Sequence, residues 1–361
     1  MPGSSRKKKY DYTLLAALSL LLLAGLVILQ STSAWNGEVK FNDPYYYLKK
    51  QVFATTIGIA AMFVTANMDY HALRRFALPA YLAAVLLSVA VLLVGDEYNG
   101  SRRWLSLGPF SFQPSEFAKV AVILFLADLV TKCADRVKKM RVMAGIMILV
   151  LPVAGLVGAS NLSTAIIILG IGVILVFIAS PKYGQFVWMG VIGCAFLAVF
   201  LALESYRLER LAIWRNPEAY EKGYQTLQGL YAIGSGGLFG RGLGNSVQKL
   251  GFVPEAQNDM IFSIICEELG LFGAGFILLL FLILIWRFYV IASRAPDLFG
   301  ALIAAGAMGH MLIQVILNIA VVTNTIPNTG ITLPFISYGG TSVVFLLLEM
   351  GLVLSVSSLV K

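Results

Sequence analysis

Forty consecutive positions, 142–181, contain no Asp, Glu, Lys or Arg. As an α-helix this run would extend about 60 Å at about 1.5 Å per residue. The hydrocarbon core of a bilayer is about 30 Å thick. A second run without charged residues, 298–348, is also too long for a single crossing. Both runs therefore predict pairs of membrane-spanning helices.

The composition of the whole chain agrees with a membrane protein. Hydrophobic residues make up 58% of the 361 residues and charged residues only 13%, against about 25% charged in a typical soluble domain. This balance excludes a cytosolic enzyme, a disulfide-rich secreted scaffold and a disordered regulator. The three cysteines have no metal-ligand or CxxC spacing, so we expect neither a disulfide framework nor a zinc site.

The fold class that follows is an all-α integral membrane protein with about ten transmembrane helices, in one polytopic domain covering residues 1–361. Eight spans are expected at 12–30, 51–68, 76–95, 115–131, two within 142–181, 183–203 and 261–286. The last two lie within 298–361, separated by a Pro- and Gly-rich segment around 327–340 that predicts a re-entrant or external loop. Residues 158–163 predict the turn between the paired spans, with Asn161 able to cap the returning helix.

Basic residues set the expected orientation, because cytoplasmic loops carry an excess of Lys and Arg. The segment 1–11 holds Arg6–Lys9, and the loop after the fourth span holds a second cluster at 132–141. We therefore expect both termini to be cytoplasmic and residues 204–258 to form one large extracytoplasmic loop. The net charge of +8 is explained by this asymmetry, and no nucleic-acid partner is expected.

The fourth span carries two charged residues near its outer end, Glu116 and Lys119, directly after a helix start at Pro114 and Ser115. Residues three apart share a helix face and can pair. One interpretation is a self-contained ion pair near the interface, and the other is a polar cavity lined by both groups. The second is favoured because ionisable residues at membrane depth are costly and commonly functional.

Two adjacent arginines, Arg102 and Arg103, precede this span beside Trp104. Guanidinium groups match phosphate oxygens and suit an anionic headgroup. Interfacial arginines with a tryptophan in the aromatic belt explain the same residues equally well.

Asp259 lies where the long loop meets the eighth span, in the sequence Pro254–Asp259. An apolar neighbourhood raises the pKa of a carboxyl group and makes it a better base near neutral pH. If the helix includes Asp259, then Phe262, Ser263 and Glu267 share its face. A helix cap is the alternative role.

Other catalytic patterns are absent from the sequence. The Gly-rich run 234–244 contains neither of the nucleotide-binding motifs GxGxxG and GxxxxGK(S/T). No HExxH motif of a metalloprotease is present. His310 is expected to be a packed, hydrogen-bonded side chain rather than a ligand.

Several longer motifs, in order, resemble the SEDS family (shape, elongation, division and sporulation), which includes FtsW, RodA and SpoVE. They span nearly the whole chain: Gly100–Trp104, Gly108–Phe110, Gln113–Lys119, Asn161–Ala165, Ala232–Gly240, Pro254–Asp259, Glu267–Gly270 and Asn328–Ser342. The chain departs from the family where Asn161 replaces a frequent acidic residue and where Gln257-Asn258 replaces a frequent His-Thr pair.

The resemblance implies a ten-helix peptidoglycan glycosyltransferase of the bacterial plasma membrane, which polymerises the lipid-linked precursor lipid II. It implies Asp259 as the essential aspartate, and our hypothesis is that Asp259 acts as the general base on the 4-hydroxyl of the acceptor sugar. It also implies an undecaprenyl pyrophosphate leaving group and a class B penicillin-binding protein as partner. The expected substrate-binding residues are Glu116, Lys119, Arg102, Arg103, Arg210, Arg215 and Glu255. No metal-binding residue is assigned, although a divalent cation is a further source of positive charge for the pyrophosphate.

Two rival functions remain open from the sequence. A lipid II transporter would use the same polar groups and Pro/Gly-interrupted helices to move its substrate across the bilayer. A non-catalytic scaffold would instead recruit a cell-wall synthase through its helix faces.

Overall fold

The computed structural model describes residues 10–98, 101–107, 110–180, 183–202 and 205–360. The Arg6–Lys9 cluster and the motif residues Gly100, Gly108 and Pro109 lie outside the described residues. Ten helices of 18 residues or more occupy the positions expected for the spans. They are α1 (Tyr12–Phe41), α2 (Tyr46–Asn67), α3 (Arg74–Val94), α4 (Pro114–Lys132), α5 (Met140–Ser160), α6 (Leu162–Ala179), α7 (Tyr183–Ala202), α10 (Ile261–Arg294), α11 (Leu298–Val322) and α12 (Gly340–Ser357).

Seven helices in the described part of the chain are long and apolar enough to cross a membrane, and a shorter apolar stretch covers Phe186–Ala195 within α7. These features confirm the all-α membrane class. The helices α2 and α4 are not among the seven. In α4 the reason is chemical, since its 19 residues include Glu116, Lys119 and Asp128.

The most buried spans are α11 and α12, in which 67% and 72% of the most apolar window is inside the protein, against 28% in the span that contains α3. The helix α11 packs against α4, α6 and α10, and α12 packs closely on α2. The outer helices expose leucines such as Leu82, Leu86 and Leu282, which a bilayer covers. The polar side chains of α4, α11 and α12 therefore lie in the middle of the bundle.

Side-chain contacts at one end of the bundle bring together the start of α1 and the ends of α2, α10 and α12. Asp11 caps the start of α1, accepting from Leu14 N, and pairs with Arg287 near the end of α10. Tyr10 Oη donates to Asn67 at the end of α2 (3.0 Å), and Ser355 Oγ donates to Met68 O (2.6 Å). The beginning of α1 and the end of α12 therefore lie at the same end of the bundle, which we call the terminal end.

The helix starts that the sequence predicted near the opposite end are confirmed. Pro114 occupies the first turn of α4, where its missing N–H is not needed. The helix α5 ends at Ser160, and Asn161 Oδ1 caps α6 by accepting from Thr164 N (3.2 Å).

The connection from α3 to α4 forms a small antiparallel sheet where the sequence predicted only a loop. Its strands are β1 (Asp96–Tyr98), β2 (Ser101–Leu107) and β3 (Phe110–Phe112), in that order. Trp104 pairs with Asp96 and Leu105 pairs with Phe112. Arg102 pairs with Glu97 of β1, and Arg103 lies between two paired residues of β2, so the sheet fixes the backbone that carries both arginines.

The long connection between α7 and α10 contains two shorter helices, α8 (Ser205–Arg215) and α9 (Tyr224–Gly236). A glycine-rich segment follows and folds back onto α10, where Arg241 N and Gly242 N donate to Glu267 O and Glu268 O, both at 2.9 Å. At Gly270 the backbone of α10 leaves helical geometry (φ 68°), and an added Cβ would lie 2.3 Å from Gly240 N. The glycines allow this close backbone approach.

Candidate functional site

Asp259 lies in the turn that precedes α10, since that helix begins at Ile261 and its N-cap is Met260. The expectation that Asp259 shares a helix face with Glu267 is wrong. Glu267 is fully buried and turns to the glycine-rich segment, where its carboxylate accepts from Val247 N (3.1 Å) and pairs with Arg241 (3.4 Å). Asp259 also does not cap the helix.

The backbone and the side chain of Asp259 are held by different neighbours. Its carbonyl oxygen accepts from Asn318 Nδ2 on α11 (2.8 Å). Its carboxylate Oδ1 lies 3.5 Å from Gln225 Nε2 on α9. Gln225 also donates to Pro254 O (3.2 Å) and accepts from Asn328 Nδ2 (3.2 Å). The half-buried carboxylate therefore sits between α9, the segment before α10 and the segment after α11.

Glu255 adds a second carboxylate to this region. Its backbone has a positive φ of 50°, which turns the chain just before Asp259. Its carboxylate pairs with Lys40 (3.2 Å) and accepts from Gln257 Nε2 (3.2 Å) and Asn258 Nδ2 (2.8 Å). These contacts hold Glu255 in place beside Asp259.

Two arginines act on Asp259 through their charge. Arg210, on α8, donates to Asn328 O (3.2 Å), and Arg103, on β2, donates to Ser160 O at the end of α5 (2.8 Å). Burial and, to a smaller extent, the nearby negative charge of Glu255 raise the pKa of Asp259, whereas a backbone hydrogen bond and the positive charges of Arg210 and Arg103 lower it. The net result is a pKa of about 6. The site therefore joins a proton acceptor near neutral pH to two fixed positive charges.

The other two predicted arginines have different surroundings. Arg102 is exposed and donates to Leu93 O (3.1 Å) at the end of α3, where a cation complements the helix dipole. Arg215, with Leu211, Ala212 and Trp214, lines an open cavity of about 510 Å³ along α8. The carbonyl of Asn324 fixes Trp214, whose Nε1 donates to it (2.9 Å).

The predicted pair on α4 forms inside the bundle. Lys119 Nζ lies 2.9 Å from Glu116 Oε1, and the two residues are only 1% and 6% exposed. Lys119 also donates to Gln314 Oε1 on α11 (3.1 Å). Glu116 and Lys119 are therefore closed off from solvent in this conformation, and they do not share an open cavity with Asp259.

A second buried pair adjoins the first. His310 Nδ1 lies 2.7 Å from Glu349 Oε2 on α12, and His310 Nε2 lies 2.9 Å from Gln314 Oε1. Gln314 Nε2 donates to Thr332 O (3.1 Å), which fixes the amide so that its oxygen faces His310. Both ring nitrogens of His310 therefore face acceptors, which requires two ring protons or a proton on Glu349. His310 is hydrogen-bonded and packed, as the sequence analysis expected.

Comparison with known proteins identifies the family. The model of the FtsW, RodA and SpoVE cell cycle proteins matches residues 12–361. The chain belongs to this family. Stage V sporulation protein E of Bacillus subtilis (strain 168) is 39% identical over 366 residues, with 98% of each chain covered. A probable peptidoglycan glycosyltransferase FtsW of Trichlorobacter lovleyi is 34% identical over 362 residues, covering 99% of this chain and 95% of that one.

Solved structures of two relatives share the fold. A chain of a peptidoglycan synthase complex that coordinates polymerization and crosslinking is 31% identical, with a TM-score of 0.81 and 96% and 97% coverage of this chain and that one. The rod shape determining protein RodA of Thermus thermophilus is 30% identical, with a TM-score of 0.71 and 96% coverage of each chain. This SEDS protein is thus a membrane enzyme of the glycosyltransferase class.

Sequence reasoning missed three polar residues in this SEDS protein: Gln225 and Asn318, which contact Asp259, and Gln314, which contacts Lys119 and Thr332 O. Gln314 and Asn318 stand four residues apart in an otherwise apolar span, which places both on one helix face. That spacing, in a stretch without charged residues, was the available signal. Gln225 lies in the long loop, where no local pattern distinguishes it.

Removing one member of a buried ion pair leaves its partner charged and desolvated. We therefore predict that Lys119→Met destabilises the folded protein by about 3–5 kcal/mol. The matched control is Lys222→Met, whose surface pair with Glu209 is 72% and 43% exposed and should cost less than about 1 kcal/mol. Unfolding in detergent measures both. Equal losses for the two variants would contradict a tightly coupled buried pair.

Proposed function

We propose that this protein polymerises lipid II into peptidoglycan glycan strands on the outer face of the bacterial plasma membrane, with Asp259 as the general base. The observation that carries the proposal is a half-buried carboxylate with a pKa of about 6 at the end of the bundle opposite the terminal end, flanked by two arginines. A base with a pKa near the working pH is the one best suited to proton transfer.

In the proposed reaction the Asp259 carboxylate removes the proton from the 4-hydroxyl of the acceptor sugar. The hydroxyl oxygen then forms a bond to the anomeric carbon of the donor. The bond between that carbon and the phosphate oxygen breaks, and its electron pair leaves with undecaprenyl pyrophosphate. The cleaved substrate bond supplies the driving force, so no nucleotide enters the step.

The leaving group gains negative charge as the bond breaks, and fixed cations stabilise that charge. Arg210 and Arg103 are suited to this role because both act electrostatically on Asp259. Arg215 and the apolar cavity beside Trp214 suit a phosphate attached to a prenyl chain. Arg102 is proposed to contact the headgroup from β2.

Glu116 and Lys119 are proposed as the inner boundary of the substrate site. Because both are buried, direct contact with substrate requires the 331–332 segment above Gln314 to move. Without that movement, the pair acts indirectly: Lys119 holds Gln314, and Gln314 holds the 331–332 segment by donating to Thr332 O.

A divalent cation is a further proposed source of positive charge. The described residues contain no group of three or more His, Cys, Asp or Glu side chains able to hold a metal. Mg²⁺ is commonly held largely by substrate phosphates, so the Asp259 carboxylate stays available to accept the proton. The ion would neutralise pyrophosphate charge.

The proposed orientation puts both termini in the cytoplasm and the Asp259 region outside. It rests on the excess of basic residues in the segments assigned to the cytoplasm. We further propose a class B penicillin-binding protein as partner, in line with the synthase complex that contains a structural relative. Membrane lipids surround the bundle, and nucleic acid has no role.

Asp259→Asn removes the base without changing the side-chain shape, so we predict that it abolishes glycan polymerisation. The matched control is Asp43→Asn, at the turn between α1 and α2, where the carboxylate pairs with Lys49 (2.8 Å). The purified full chain with its partner is incubated with lipid II, and polymer is measured. Normal polymerisation by Asp259→Asn would exclude Asp259 as the base.

The rival transporter function makes a different prediction in liposomes. It is motivated by the Pro- and Gly-rich break between α11 and α12, of the kind that secondary transporters use at binding sites. If the wild-type protein moves lipid II across the bilayer but never polymerises it, the transporter interpretation replaces ours.

The pH dependence of polymerisation tests the charges around Asp259. Activity should fall about tenfold per pH unit below about 6, as the base becomes protonated. Glu255→Gln removes a charge that raises the Asp259 pKa, so the acid limb should move to lower pH. Arg210→Met removes a charge that lowers it, so the limb should move to higher pH. Shifts in the same direction would contradict this electrostatic account.

A further inference from the structure

Asn318 has an unusual environment for an amide in a membrane helix. The residue is 0% exposed. Its Nδ2 group donates to Asp259 O (2.8 Å) and to Ile331 O (2.7 Å). Its Oδ1 is buried and has no hydrogen-bond partner among the described residues. The amide nitrogen therefore donates both of its hydrogen bonds, whereas the buried amide oxygen without a partner costs free energy of folding.

The carbonyl of Asp259 is available for this bond because it lies just outside α10. The helix begins at Ile261, and Met260 O accepts from Ser263 N (3.0 Å). A buried carbonyl that lacks a partner is costly, so Asn318 fixes the backbone that carries the carboxylate. The Asp259 carboxylate is contacted by Gln225 Nε2 at a long 3.5 Å, so the shorter bond to its backbone carbonyl is the tighter of these two contacts.

Asn318 also holds the 330–332 segment, which faces the Asp259 carboxylate. Gln314, one turn earlier on α11, donates to Thr332 O (3.1 Å), while Asn318 donates to Ile331 O. The two amides therefore donate hydrogen bonds to successive carbonyls of one extended segment. Gly330 begins that segment with a φ of 71°, and a Cβ built there would lie 4.0 Å from Asp259 Oδ2. One side chain thus joins the backbone of Asp259 to the segment that faces its carboxylate.

We infer that Asn318 is a positioning residue for the reaction, setting the distance between Asp259 and the 330–332 segment that lines the acceptor side of the site. Gln314 connects the same segment to Lys119, whose Nζ donates to Gln314 Oε1 (3.1 Å). This inference rests on the proposed role of Asp259 as base. Reacting groups need placement to within a fraction of an ångström, and an error of about 1 Å can cost about a hundredfold in rate.

The test compares three variants of the full chain with its partner, using lipid II as substrate. Asn318→Leu keeps the branching and the number of non-hydrogen side-chain atoms but removes both donors, so kcat should fall about 10- to 100-fold with KM changed less than about twofold. Asn318→Ser retains one donor and should give an intermediate kcat. The acid limb of the Asn318→Leu profile should move to lower pH, because a displaced carboxylate loses part of the burial that raises its pKa.

The matched control is Gln30→Leu. Gln30 is also an amide that donates to a backbone carbonyl, Pro44 O (3.2 Å), and its Oε1 is likewise buried and unpartnered among the described residues. It lies on α1 and bonds to the turn before α2. Its kcat, KM and pH profile should stay within about twofold of wild type, by the same reasoning about placement.

A purely structural role for Asn318 gives a separate result. The yield of folded protein would fall, but each folded molecule would keep the wild-type kcat and pH profile, and that outcome overturns the inference. If Asn318→Leu fails to fold, the kcat and pH profile of Asn318→Ser decide by the same criteria. Loss of activity in Asp259→Asn with normal kcat in both Asn318 variants would reject this inference while leaving the proposed function intact.

Discussion

The site depends on the partial burial of one carboxylate beside positive charges that do not neutralise it completely. Burial raises the pKa of Asp259, Arg210 and Arg103 lower it, and the net pKa is about 6. A fully solvated Asp would be a weaker base, and an Asp in a tight salt bridge would hold its charge too firmly to accept a proton. The rest of the fold can be understood as the means of keeping this balance.

Two pairs of ionisable side chains lie inside the bundle. Glu116 with Lys119, and Glu349 with His310, form two adjoining pairs that both contact Gln314. Separating either pair would leave buried polar groups without partners, which is costly, so the pairs hold a specific geometry. Through Gln314 and Thr332 O, this geometry reaches the segment that faces Asp259.

Hydropathy and local helix chemistry predicted much of the fold. The positions of the ten long helices, the starts at Pro114 and Asn161 and the Glu116–Lys119 pair all follow from patterns within a few residues. The sheet around Trp104 did not, since its strands are short and pair through turns. The position of Asp259 outside α10 and its contact with Asn318 depend on tertiary packing, which the sequence does not encode locally. The family resemblance indicated the activity, while the neighbours of Asp259 required coordinates.

The most direct measurement is an experimental structure of the Asp259→Asn variant with two lipid II molecules bound. Our account predicts the acceptor 4-hydroxyl within about 2.6–3.2 Å of the residue 259 side chain, and the donor pyrophosphate against Arg210 and Arg103. Sugars bound away from residue 259, or a pyrophosphate held at the terminal end of the bundle, would contradict it.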